Sequence, residues 1–419
     1  MIFWDNLPRP FLALAPMDDA TDVVFRRVVL RAGEIAAREK NSAPSRSRAE
    51  NRENFASGTA NFATFRPDVF FTEFTNAASF CSEKGKLSTR GRLTFTPDEQ
   101  PIVAQIWGTN PDNFREMTTQ LFAQGFAGVD INMGCPDKTV VKNGAGSGLI
   151  DNPDLAVKLI RAAKAGAADF ANCQNSEKLS KICSKKIAKN DENNRGTRKF
   201  NFPISVKTRL GARDATEFRE WLPQILCENV ANLTIHLRTR KEMSKVPAHF
   251  ELIPEILKLR DGIAPATKIT INGDILSRAH AAEIREKYFY KNELTGEISR
   301  VDGFMIGRGV FANPFCFTNL ENPSRENLLE LLNYHLDQFD KFREILPIKS
   351  PQDDCETASN KTEIAKTSAK IAPNLQRKFD PLKHFFKIYV RDFDGAKELR
   401  EQMMAAKTTA EIREILRQN

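Results

Sequence analysis

Eight short apolar runs, separated by stretches of helical periodicity, constrain this chain more than any other feature. They occupy residues 11–15, 69–74, 102–107, 129–133, 204–207, 233–237, 269–271 and 304–306. Near-continuous apolar runs alternating with helices predict parallel strands buried on both faces. Eight such units predict an α/β fold, a closed (β/α)8 or TIM barrel. Each run ends in, or is followed at once by, polar chemistry: Pro16, Met17 and Asp18; Glu73; Gln105; Asn132 with Cys135; Lys207 and Arg209; His236 with Arg238; Asn272, Gly273 and Asp274; Gly307, Arg308 and Gly309. In a barrel the C-terminal strand ends converge on one mouth, where active sites lie.

After Asn319 the pattern changes. Leu328, Leu329, Leu332, Leu336 and Phe339 recur at helical spacing, as do Ile388, Phe393, Leu399 and Met403. Thr408 with Glu411 reads as a capping box before Ile412. The expected organisation is a catalytic barrel over residues 1–319 and a helical domain over 320–419. Residues 35–66, 172–200 and 349–375 are poor in large apolar residues. The first two read as insertions and the third as a flexible loop.

No apolar run approaches the ~20 residues that a membrane-spanning helix needs. Residues 1–10 lack the basic, then apolar, then small-residue layout of a signal peptide. The cysteines at 81, 135, 173, 183, 227, 316 and 355 are odd in number and scattered, with no C-x-x-C pair. That spacing speaks against a disulfide scaffold, zinc or an iron–sulfur cluster, and fits a reducing cytoplasm. A net charge of +8 permits a polyanionic partner.

The strand ends narrow the chemistry. Cys135 follows an apolar strand in a tight turn beside a glycine-rich loop carrying Lys138 and Lys142. It reads either as a proton donor or as a structural cysteine. Lys207 inside an apolar strand calls for an anion, unless it reaches solvent. His236 beside Arg238 reads as a donor to a ligand, and Gln105 as an amide for a ring edge with paired donors and acceptors. The glycines and Arg308 after the seventh and eighth runs suit a phosphate. Residues 307–312 also match G-x-G-x-x-A, but no further βα units follow to complete a dinucleotide fold. No H-x-x-x-H or carboxylate cluster suggests a metal. The set implies a planar, phosphorylated cofactor such as FMN, with Cys135 facing it as an acid.

These residues resemble the tRNA-dihydrouridine synthases, flavin-dependent enzymes that reduce specific uridines in tRNA. The motifs are LAPM at 14–17, TEF at 72–74, QIWG at 105–108, DINMGCP at 130–136, KNGAG at 142–146, VKTRLG at 206–211, TIH at 234–236, RTR at 238–240, NGD at 272–274 and MIGRG at 305–309. The resemblance covers most of the chain outside the three inserted segments. It implies that Pro16, Met17 and Asp18 line FMN, that Gln105 and Lys207 contact its ring, and that His236 holds it. Asn272, Gly273, Asp274, Gly307 and Arg308 would surround its ribityl phosphate. Cys135 would be the proton donor and Asn132 would sit beside the substrate base. Lys142, Arg238 and Arg240 are further substrate-side candidates. Two departures stand out: Asp18 is followed by a second aspartate, and Leu237 stands where glycine is common.

The reaction then expected is reduction of FMN by NADPH or NADH, hydride delivery to C6 of a flipped uridine, and protonation of C5 by Cys135. Lys138 or Lys142 is a candidate to lower the thiol pKa. Lys383, Lys387 and Arg391 at i, i+4 and i+8 form either an RNA-facing stripe or a solvated helix face. Residues 172–200 are either an RNA-facing arm or a solvated loop. The competing functions are an FMN barrel acting on a free pyrimidine or other small molecule, and a tRNA-binding chaperone without catalysis. Protein partners are not indicated.

Overall fold

The computed structural model describes residues 2–42, 65–175, 202–343 and 378–418. Eight parallel strands form the centre: β1 (Phe11–Leu14), β2 (Phe70–Phe71), β3 (Ile102–Trp107), β4 (Gly128–Met133), β5 (Ile204–Arg209), β6 (Asn232–His236), β7 (Lys268–Asn272) and β8 (Gly303–Ile306). They pair in the order β1-β8-β7-β6-β5-β4-β3-β2. A parallel bridge between Ala13 and Val69 brings β2 back to β1. The result is a nearly closed (β/α)8 barrel.

The second strand is shorter than the apolar run suggests. Beyond Phe71, the backbone N–H of Gln105 donates to the Thr72 hydroxyl at 3.1 Å. A side chain has taken over one rung, and pairing with β3 resumes only at Thr75–Asn76.

The strands are buried on both faces, but the two faces differ in chemistry. Leu12, Leu14, Ile106, Ile131, Val206, Ile235, Ile271 and Ile306 belong to the large core beneath the helices. Phe11, Ala13, Val69, Phe71, Val103 and Met305 pack with Trp4 in a second cluster inside the barrel. Trp4 lies 5.4 Å from Phe11 and 6.4 Å from Phe71, ring centre to ring centre. Each such burial contributes about 1.5–3 kcal/mol. Deeper in the interior lie polar groups that pair with one another. Thr270 donates to Asn232 at 2.6 Å, and Asn232 donates to Thr234 at 3.0 Å. Such pairing removes the cost of burying each group alone.

Helices α1 (Val23–Ser42), α2 (Glu83–Leu93), α3 (Pro111–Ala123), α4 (Pro153–Asn175), α5 (Phe218–Leu226), α6 (Ile253–Ile263) and α7 (Arg278–Lys287) cover the barrel. Residues 35–42, expected as the start of an insertion, are helical: Ile35, Ala36 and Ala37 continue the buried face of α1. Residues 172–175 likewise complete α4. Most of the expected segments 35–66 and 172–200, and all of 349–375, lie outside the described residues.

The C-terminal elements are α8 (Arg325–Lys341), α9 (Phe386–Tyr389), α10 (Ala396–Ala405) and α11 (Thr409–Gln418). Helix α8 lies along α1, where Glu330 pairs with Arg31 and Arg38. Arg27 donates to Gln338 at 2.7 Å. Phe25 of α1 packs 5.0 Å from Phe385, so one apolar core runs from barrel to C-terminal helices. The helix at 409–418 is capped by Thr408, whose hydroxyl accepts from Glu411 N at 3.2 Å. The glutamate carboxylate reaches Lys407 N instead of the cap's own N–H.

Lys383, Lys387 and Arg391 do not form a helical stripe. Asp380–Phe385 is a 3-10 turn and α9 spans only four residues, so i, i+4 spacing no longer places them on one face. Lys383 pairs with Asp380 and Arg391 with Asp392. Among the described residues, no helix is long and apolar enough to cross a membrane.

Candidate active site

The strand ends open on a cavity of about 430 Å³. Pro16, Met17, Lys207, His236, Arg238, Asn272, Gly273, Asp274, Gly307 and Arg308 line it. Residues drawn from β1, β5, β6, β7 and β8 thus meet at one place. Asn272 is held by donating to Met305 O at 2.8 Å. Gly273 has φ 109°, and a Cβ there would come within 3.5 Å of the His236 ring and 3.3 Å of Ala248. Glycine therefore keeps the wall beside His236 low.

Two nitrogens here are buried without a partner. His236 Nδ1 is one and Arg238 Nη1 is the other. The rest of Arg238 is committed: Nε donates to Val246 O at 2.5 Å, and Nη2 pairs with Asp274. Burial, with Arg209, Lys207, Arg238 and Arg308 nearby, holds the His236 pKa well below its ordinary value. The imidazole is neutral at pH 7. Burial also lowers Lys207, to about 8, helped by Arg209 and opposed by Asp130 and Cys135. Leu237 is fully buried and its backbone is not left-handed, so nothing here demands glycine.

Cys135 occupies the turn after β4. Asn132 Oδ1 accepts from Gly134 N at 3.1 Å and Cys135 N at 2.9 Å. The N–H and hydroxyl of Ser147 both donate to Cys135 O, at 3.0 and 2.9 Å. This approach needs Gly146: at φ 56°, a Cβ would sit 2.8 Å from Cys135 O. Arg209 Nε donates to Gly134 O at 2.7 Å. Burial raises the thiol pKa; the Asp137 backbone hydrogen bond opposes this, while the Asp137 and Asp18 charges add to it. Lys207 opposes the rise, and the Arg209 guanidinium also interacts with the thiol. Lys138 and Lys142 are exposed and do not produce the expected lowering.

The remaining candidates fall around this centre. Gln105 donates to Asp130 at 2.8 Å and accepts from Asn132 at 3.0 Å. Arg240 donates to Ser147 O at 3.0 Å and pairs with Asp151 at 2.6 Å, tying its loop to the one that holds Cys135. Lys142 lies on the surface of the short helix Lys138–Lys142.

Asp18 does not join the cavity lining. Its carboxylate pairs with Arg92, which also lies 3.7 Å from Asp19 and 3.8 Å from Glu73. The carboxylates of Asp18, Asp19 and Glu73 come within 4.8 Å of one another. The sequence hid this cluster because Glu73 and Arg92 are far from Asp18 along the chain. Arg92 supplies its counter-charge. Burial raises Glu73 to about 7, with Asp22 and Asp18 adding to it. Beyond this cluster a cleft of about 620 Å³ reaches His335, Lys378 and His384 on the C-terminal side.

Arg209 belongs to the strand-end polar set read from the sequence, without a role of its own there, and Asp130 stands outside that set. Asp130 carried a signal, a carboxylate within an apolar strand; Arg92 carried none.

A family model described as dihydrouridine synthase (Dus) matches residues 13–169 and 194–419. The chain is 45% identical over 416 residues to "Probable tRNA-dihydrouridine synthase 2" of Bacillus subtilis (strain 168), covering 99% of this chain and 95% of the relative. It is 43% identical to "Probable tRNA-dihydrouridine synthase" of Staphylococcus aureus (strain COL), covering 99% and 94%. These matches show that the chain belongs to the dihydrouridine synthase family.

Proposed function

We propose that this dihydrouridine synthase reduces the C5–C6 double bond of uridines in tRNA, with FMN as cofactor and NADPH as reductant. The reading rests on His236 and Arg238, which line the cavity with Lys207 and Arg308 and each carry a buried nitrogen without a partner, His236 Nδ1 and Arg238 Nη1. That donor set fits a phosphorylated ring system with anionic character. Asn272, Gly273, Gly307 and Arg308 would hold the phosphate end. Lys207, Gln105 and His236 would face the ring, with Pro16 and Met17 against it. Bound FMN supplies the hydride.

The chain supplies the proton. Cys135 keeps its proton on Sγ at neutral pH, because burial raises a pKa already near 8.5. Its turn is fixed by Asn132, Ser147 and Arg209, so the thiol meets the base without reorganising. Asn132 would lie beside that base. A uridine must leave its stack to reach the mouth. The cleft that reaches Lys378 and His384 is also lined by Asp19, Asp22 and Glu73, so Lys378 and His384 on its C-terminal side are the groups offered to RNA, and the overall net charge of +8 permits a polyanionic partner. Cys81, Cys135, Cys227 and Cys316 are free thiols, which suits a reducing cytoplasm.

Lys207 gives a pH prediction. Its folded pKa of about 8 means that the cation is present below that pH and lost above it. FMN affinity therefore falls as pH rises through about 8, by roughly tenfold one unit higher. Fluorescence-quenching titrations from about pH 7 to 9.5 check this. A Lys207→Met variant binds more weakly and lacks the inflection. A flat wild-type profile contradicts the assignment.

The substrate is tested by stopped-flow mixing under anaerobic conditions. The NADPH-reduced holoprotein is expected to be reoxidised by unmodified tRNA and not by free uracil or orotate. Reoxidation by the free pyrimidine alone would move the reaction to a small molecule.

A further inference from the structure

The barrel interior holds a carboxylate that the proposed reaction does not use. Asp130 lies in the middle of β4 and is fully buried. Oδ2 accepts from Gln105 Nε2 at 2.8 Å, and Oδ1 accepts from Ser205 Oγ at 2.6 Å. Gln105 Oε1 then accepts from Asn132 Nδ2 at 3.0 Å. Asn132 Oδ1 accepts from the backbone of Gly134 and Cys135. A continuous chain of hydrogen bonds runs from β5 through β4 and β3 to the cysteine turn.

Its direction is set at the buried end. An ionised carboxylate only accepts, so Gln105 must turn its nitrogen to Asp130 and its oxygen to Asn132. A flipped Gln105 would oppose oxygen to oxygen and nitrogen to nitrogen. Asn132 is then forced to present its oxygen to the turn. Burial lifts the Asp130 carboxyl to about 6, which leaves it mainly ionised at neutral pH.

We infer that Asp130 is a positioning residue: anchored by Ser205, it fixes which way the Gln105 and Asn132 amides point, and through Asn132 it holds the Cys135 turn. The role toward FMN rests on the flavin reading above. The role toward Cys135 does not.

The test compares Asp130→Leu with wild type as full-length apoprotein. FMN affinity is read by fluorescence quenching, and Cys135 alkylation by iodoacetamide is read by peptide mass spectrometry. FMN binding is expected to weaken roughly tenfold or more, and alkylation of Cys135 to accelerate roughly threefold or more. In a Gln105→Leu background the same substitution changes FMN affinity by less than about threefold, because its route is gone. Ser205→Ala, which removes one anchor, shifts both readouts in the same direction by about threefold and keeps the test decisive if Asp130→Leu does not fold. A merely structural role lowers the melting temperature but leaves the alkylation rate unchanged and the affinity losses additive, and that result overturns the inference. A wild-type protein that binds no FMN defeats the flavin reading instead, and the alkylation comparison still decides the role of Asp130.

Discussion

Replacing Cys135 with alanine lowers dihydrouridine formation by roughly 10²- to 10⁴-fold, the range for removing a positioned general acid. NADPH-dependent reduction of the holoprotein stays within about twofold, because the thiol takes no part in that half of the reaction. The two halves separate because Cys135 sits in the turn after β4, whereas the cavity is walled by β1 and β5 to β8. Burial keeps the thiol protonated across the neutral range, so the acid is available where the enzyme works. Single-turnover assays with unmodified tRNA, run beside NADPH reduction, measure both. Equal losses in the two halves would show that alanine disturbs the cofactor site, and an undiminished yield would remove Cys135 from the chemistry.

Replacing Glu99 with leucine destabilises the protein by about 3–5 kcal/mol, because it leaves a buried cation uncompensated. Arg26 and Glu99 pair with both side chains at 0% exposure. Arg26 also donates to Thr21 O and Thr94 O, each at 2.7 Å. Glu99 Oε1 accepts from Thr96 N at 2.7 Å and the Thr96 hydroxyl at 2.8 Å. The pair bolts α1 to the approach to β3, and it reaches the mouth. Thr21, held by Arg26, accepts from Met17 N at 2.8 Å and so fixes the loop after β1. The midpoint of denaturant unfolding reports the loss, and the double change Arg26→Met with Glu99→Leu recovers much of it. A single variant within about 1 kcal/mol of wild type would show that water or rearrangement reaches Arg26.

Much of the site was legible because barrel topology converts strand ends into neighbours. Residues as distant as Met17, Lys207, His236 and Arg308 share one cavity for that reason alone. What escaped depends on side chains meeting across elements. Thr72 takes the rung that would have lengthened β2, and its hydroxyl gives no sign of this in the sequence. Asp18 reads as a cavity residue from its place after β1, yet Arg92 of α2 draws it aside. Periodicity made a stripe of Lys383, Lys387 and Arg391, but Pro381 opens a 3-10 turn and the spacing loses its meaning. The low-hydrophobicity reading of residues 35–42 missed that two alanines and one isoleucine suffice to continue a buried helix face. Lys138 and Lys142 were candidates to lower the thiol pKa, whereas burial dominates and raises it.

This barrel is expected to reduce uridines in tRNA with Cys135 as the acid. Mass-spectrometric mapping of unmodified tRNA after incubation with the purified protein, FMN and NADPH tests it most directly, with Cys135→Ala in parallel. Dihydrouridine is expected at a defined position in the wild-type reaction and at most as a trace with the variant. No dihydrouridine from a flavin-loaded protein that NADPH reduces would contradict it.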